Sequence, residues 1–218
     1  QRSPRFQEMP ACHRHDCCCD CQRKNDVLVG YGDPSTPLND GYIFSTSNAE
    51  IASESNYRYW KPIVGGATEG STTPAEIVFF FPLVEPSASI DLSMGLYTFT
   101  WDYSRGHNLL YGSTDGSNWE QLADVPAPAF GSFNNLGTVA IPETLLGAEE
   151  FWLKAELFSF GSRASEGGVF TNTAQLSRYD TKVQKTSFSL IVTSIPEPTA
   201  LGVLTLLGGL VGIKRRRQ

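Results

Sequence analysis

The stretch GLYTFTWDY (Gly95–Tyr103) decides how this chain is read. Tyr97, Phe99, Trp101 and Tyr103 alternate with Thr98, Thr100 and Asp102. A repeat of two is the repeat of a β-strand, whose successive side chains point to opposite faces. The aromatics are therefore expected on one face and the polar residues on the other. The next segment, NLLYGSTDGSNWEQL (Asn108–Leu122), reads as a hairpin. Asp115-Gly116 supplies the positive-φ turn, and Leu109–Ser113 folds back on Asn118–Leu122.

Strand signals continue in both directions. EIVFFFPLV (Glu76–Val84) is too short for a buried helix, and it predicts a strand covered on both faces that ends at Pro82. Further strands are expected at Gly137–Ile141, Phe151–Phe158 and Ser187–Val192. In the second of these, Phe151, Leu153, Ala155 and Leu157 share a face opposite Lys154 and Glu156. In the third, Phe188, Leu190 and Val192 alternate with small or polar partners. Pro142 and Glu143 suit the start of a short helix or turn over 143–149, which Gly147 divides from the strand that follows. Strands at fairly regular spacing with little helical period predict an all-β fold, an antiparallel β-sandwich of jelly-roll type.

Composition sets the limits. The 218 residues suffice for one domain plus tails, with boundaries read at 1–26, 27–194 and 195–218. A net charge of −6 without a basic stripe argues against a nucleic-acid partner. All five cysteines lie between Cys12 and Cys21, so the domain that follows must rely on its core rather than on disulfides. In CHRHDCCCDC, thiolates and imidazoles would suit zinc or copper. Three consecutive cysteines cannot all point at one ion, however, and the paired CxxC arrangement is absent. The segment is expected to be disordered, with no metal and no cofactor. Asp33, Asn39 and Asp40 would serve equally as calcium ligands or as turn formers.

Catalytic groupings are sparse. His107 is the one histidine outside the N-terminal segment, and no GxSxG elbow accompanies it, so it reads as a loop histidine following Arg105-Gly106. A glycosidase would draw its acid pair from Asp102, Asp115, Glu120, Glu156 and Glu166. A non-enzymatic role is the expectation, with a surface glycosidase or other hydrolase as the alternative. In VFTNTAQLSRYD (Val169–Asp180), the planar hydrogen-bonding groups of Asn172, Gln175 and Arg178, with the Tyr179 ring, are candidate carbohydrate contacts. The competing reading is an edge strand and loop.

Two resemblances add to this. STDGSNWEQL (Ser113–Leu122) resembles the Asp-box hairpin of sialidase-like propellers, one residue short and without the repeats. It also resembles hairpins of discoidin-like, galactose-binding-like sandwiches. Both imply a structural role, with Asp115 and Gly116 closing the turn and Trp119 packed beneath it.

The C-terminal end, SIPEPTALGVLTLLGGLVGIKRRRQ (Ser194–Gln218), has three parts. Pro196 and Pro198 hold Glu197 in extended backbone. Thr199–Ile213 follows with no charge; as a helix rising ~1.5 Å per residue it covers about two-thirds of a ~30 Å hydrocarbon core. Lys214, Arg215, Arg216 and Arg217 then place the C-terminus on the cytoplasmic side, by the positive-inside rule. This order resembles the PEP-CTERM sorting signal of exported Gram-negative and cyanobacterial proteins. The resemblance implies Sec export, transient membrane retention through residues 199–213, and recognition of Pro196-Glu197-Pro198 by an exosortase. It also implies a place among exopolysaccharide and biofilm proteins at the cell surface. Gln1 opens the chain without an apolar signal core, so an export signal is expected upstream of Asp26.

Overall fold

A computed structural model describes residues 42–54, 57–83, 85–101, 103–166, 171–180 and 188–195. The cysteine segment, Asp33, Asn39, Asp40, Asp102, the Pro196-Glu197-Pro198 motif, residues 199–213 and Lys214–Arg217 lie outside them. Among the described residues, no helix is long and apolar enough to cross a membrane.

Among the described residues the fold is an antiparallel β-sandwich of eleven strands: β1 (Ile43–Ser47), β2 (Ala49–Glu54), β3 (Tyr57–Pro62), β4 (Ala75–Pro82), β5 (Ser87–Phe99), β6 (Arg105–Ser113), β7 (Glu120–Val125), β8 (Phe133–Val139), β9 (Glu150–Phe160), β10 (Ala174–Asp180) and β11 (Phe188–Ser194). One sheet runs β1-β4-β9-β6-β7. In the other, β2, β3, β10 and β5 follow in order, β8 flanks the far side of β5, and β11 pairs with the first half of β5.

The core forms where the two inner faces meet. Ile77, Phe79 and Phe81 of β4 and Phe151, Leu153, Ala155 and Leu157 of β9 are fully buried on one side. They face Leu92, Met94 and Leu96 of β5 and Phe188, Leu190 and Val192 of β11. Phe188 spans the layers, with ring centroids 5.3 Å from Phe79 and 6.0 Å from Phe81. Burying each such side chain contributes about 1.5–3 kcal/mol, which a cysteine-free domain requires. The alternation expected for β9 and β11 is the one observed. β4 ends at Pro82, but its second face is only partly covered, by Phe44 and Trp152.

Four expectations need correction. β8 begins at Phe133, not Gly137, and ends at Val139. β10 is an interior strand between β3 and β5, not an edge. Tyr103 does not continue the aromatic strand: Trp101–Ser104 form a tight turn, closed by the Trp101 amide donating to the Ser104 carbonyl at 2.9 Å. His107 lies within β6 rather than in a loop. The turn over 143–149 is present as a single 3-10 turn, Glu143–Leu145. β6 also carries Gly106, where a Cβ would come within 1.6 Å of the Thr173 carbonyl oxygen, so only glycine lets these backbones approach.

Candidate functional site

β5 fixes which way its aromatics point. Ile90, Leu92, Met94 and Leu96 occupy alternate positions and face the core. The same frame continues through Thr98 and Thr100, both buried. Tyr97 and Phe99 must therefore face outward, and Trp101 follows them at the start of the turn. The inward threonines have a specific task. Thr98 Oγ1 donates to the Pro126 carbonyl at 2.9 Å and Thr100 Oγ1 to the Pro128 carbonyl at 2.8 Å. The Gly131 amide donates to the Thr100 carbonyl at 2.9 Å. Prolines lack a donor and cannot enter a ladder, so side-chain donors from β5 hold this loop in place.

The outward residues form a row. Ring centroids lie 6.3 Å apart for Tyr97–Phe99 and 6.1 Å for Phe99–Trp101, with planes within 21° and 11°. Phe133 of β8 pairs in register with Phe99 and lies 6.4 Å from Tyr97 and 6.1 Å from Phe99. Trp101 is 49 % exposed and Phe133 62 %. Tyr97 and Phe99 are half-buried, so the row is a contiguous, partly exposed aromatic surface of the kind at which ligands or partners bind in other proteins.

Beyond Trp101 the row opens into a cleft of about 730 Å³, whose lining includes Glu69, Trp101, Tyr103, Arg105, Phe130 and Phe160. Phe130, 65 % exposed, is carried by the loop that the threonines pin. Tyr103 is held from the other side, with the Arg163 guanidinium 5.1 Å from its ring centroid. His107 lies behind Glu69. Its Nδ1 bonds to Glu69 and its Nε2 lies 2.8 Å from Asp124 Oδ1. The cleft mixes aromatic rings with polar groups, among them Thr68, Glu69, Ser104, Arg105 and Ser162.

The residues singled out in VFTNTAQLSRYD are divided by the structure. Gln175 lies directly opposite Tyr97 in register, so it borders the aromatic row. Its amide donates to the Asn172 carbonyl at 2.7 Å. Asn172 lies two residues before β10, and its Oδ1 is buried with no hydrogen-bond partner among the described residues. Arg178 and Tyr179 sit toward the other end of β10, where Tyr179 pairs with Arg58 of β3.

In the β6–β7 hairpin, Asp115 Oδ1 accepts from the backbone amides of Ser117 and Asn118, both at 2.8 Å. The Asn118 backbone and side chain, then Ser117, hold the Asp115 carboxyl well below the usual carboxylate range. Gly116 has φ +69°. The indole against it is Trp152, while Trp119 lies 5.2 Å from the Lys154 ammonium. Of the other candidate acids, Glu120 accepts from Thr144, Glu156 pairs with Lys154 at 2.7 Å, and Glu166 pairs with Arg163 at 3.1 Å.

The alternation from Gly95 onward places Tyr97, Phe99 and Trp101 on one face but leaves open whether that face points in or out. Extending it back to Ile90 assigns the outward face from sequence alone.

No family model matches the chain, and no curated protein matches it in sequence. Among solved structures, one titled "CBM4 structure and function" is similar with a TM-score of 0.34 and 10 % identity, covering 68 % of this chain and 81 % of that one. The CBM22-1 xylan-binding domain from Paenibacillus barcinonensis Xyn10C is similar with a TM-score of 0.38 and 9 % identity, covering 79 % of this chain and 99 % of that one.

Proposed function

We propose that this chain is an exported, non-catalytic polysaccharide-binding protein, a jelly-roll sandwich carried to the cell surface by its C-terminal tail. The observation that carries the binding reading is the outward row Tyr97–Phe99–Trp101 with Phe133, leading into the cleft. A sugar ring has C–H-bearing faces and hydroxyl-bearing edges. The electron-rich face of an aromatic ring attracts polarised C–H groups, while neighbouring amides such as Gln175 suit hydroxyls. A row of rings in one orientation offers the same contact to successive units of a chain. A glycosidase would need a second acid across from the first. Among the described residues lining the cleft, Glu69 is the one acid, and His107 already engages it.

Affinity electrophoresis of the protein through gels containing neutral and acidic polysaccharides tests this reading. Retardation by at least one polymer is expected. Unretarded migration through every gel would overturn it.

The tail supports delivery through its three-part order in sequence, with Pro196-Glu197-Pro198, the apolar span Thr199–Ile213 and the cationic end Lys214–Arg217. An exosortase would read the first part while the second holds the chain in the membrane as a helix. Glu197→Ala in an exosortase-bearing host should leave the precursor unprocessed on an immunoblot. Normal maturation of that variant would remove the sorting proposal and leave the binding proposal untouched.

A further inference from the structure

The cleft beyond Trp101 has an asymmetry of charge. Among the described residues it is lined by one acid, Glu69, and one cation, Arg105. Glu69 is bonded to His107, which also faces Asp124. Arg105 is exposed, and its guanidinium makes no hydrogen bond or ion pair among the described residues. Other described cations are differently placed: Lys61 pairs with Glu50, Lys154 with Glu156 and Arg163 with Glu166. Arg58 does not line the cleft. Among the described residues this guanidinium stands unpaired in a cleft lined by Trp101, Tyr103, Phe130 and Phe160, where an anionic group could pair with it.

Its placement is fixed by the fold. Arg105 bridges to Thr100 across the tight turn that carries Trp101 and Tyr103, and pairs in register with Phe160 of β9. The guanidinium and the rings thus come from one short, hydrogen-bonded unit. We propose that this cleft binds a uronic acid unit of an acidic polysaccharide, with Arg105 pairing to its carboxylate and Trp101 against its ring. The planar fork of a guanidinium matches a carboxylate through two parallel hydrogen bonds, which a neutral sugar cannot return. The proposal rests on the polysaccharide reading above and names the substrate class for it.

The test uses the full chain in affinity gels containing polygalacturonate, the same polymer after reduction of its carboxyl groups, or dextran sulfate. The uronate polymer should retard the protein, and carboxyl reduction should weaken binding by tenfold or more. Arg105→Gln should erase that difference with an unchanged thermal melting curve, and Arg105→Lys should restore it in part. Equal, Trp101-dependent retardation by the polymer and its reduced form would overturn the carboxylate inference and leave polysaccharide binding standing. Arg105-dependent retardation by dextran sulfate as strong as by the uronate would also overturn it, since the site would then read any anion. Retardation by no polymer would overturn both proposals.

Discussion

Both sheets carry aromatics on their outer faces, and the two sets are built on opposite plans. On the β1-β4-β9-β6-β7 sheet the rings come from different strands and meet at angles. Phe44 meets Trp152 at 79° and Phe80 meets it at 39°, with centroids 4.9 and 4.5 Å apart. Lys154 caps the cluster, 4.7 Å from the Tyr111 ring centroid and 5.2 Å from that of Trp119. Burial first, then the Glu156 carboxylate, pushes the Tyr111 phenol up. On the other sheet the rings come mainly from one strand, two residues apart. A strand advances ~6.6 Å over two residues, so such rings stand side by side and cannot interlock. Edge-to-face contact within the first set contributes about 0.5–1.5 kcal/mol per pair. The first set is tied together through Trp152, although Phe44 itself stays 65 % exposed, and the second leaves ring surface along a single line.

Substitutions can break this division. The largest effect is expected for Trp152→Ala, which should destabilise the fold by about 3 kcal/mol in denaturant titration, since Phe80, Phe44 and the Gly116 turn all pack on that indole. Its polysaccharide binding below the melting transition should survive; loss of binding in the folded variant would collapse the distinction. Trp101→Ala should do the reverse. A weakening of retention by about tenfold, or 1.4 kcal/mol, is expected with stability changed by less than about 0.5 kcal/mol. A large stability loss there would show that the row is packing after all. Thr98→Val and Thr100→Val each remove a hydrogen bond to the loop, at a cost of about 1 kcal/mol apiece. Limited proteolysis between Pro126 and Ser132 should quicken, and unchanged cleavage would mean the loop is held otherwise.

The smallest effect concerns the turn beside Trp152. Asp115 has a lowered pKa in the folded state, so its contribution is present above the carboxylate's unfolded value, about 3.9. It is lost as pH falls through the folded value. Asp115→Asn should therefore flatten the stability slope below about pH 4 by up to one proton-equivalent. An identical slope in chemical denaturation would show that the turn is indifferent to its charge.

What was legible from sequence follows from where each constraint lies. The inner faces of β9 and β11, the end of β4 and the Asp115-Gly116 turn depend on neighbours within a few residues, and their positions were readable. The direction of the β5 aromatics depends on Ile90, Leu92 and Met94, just outside the window that made them conspicuous. The reason for buried threonines lies in proline carbonyls 28 residues downstream, which no local pattern reports. β10 has few apolar residues beyond Ala174 and Leu176, so its interior position comes from backbone pairing that composition does not advertise. The cleft joins Glu69, Trp101, Arg105 and Phe130, which only the folded topology brings together.

The clasp between β5 and the loop over 126–132 is made to backbone carbonyls, not to the loop's own side chains. Ala127, Ala129 and Phe130 can thus be exchanged for other residues without disturbing what holds the loop. Inheritance can alter the outline of the cleft at these positions while Thr98, Thr100 and the sandwich stay unchanged. Small edits to this one rim would thus reshape the cleft while the same frame is kept throughout.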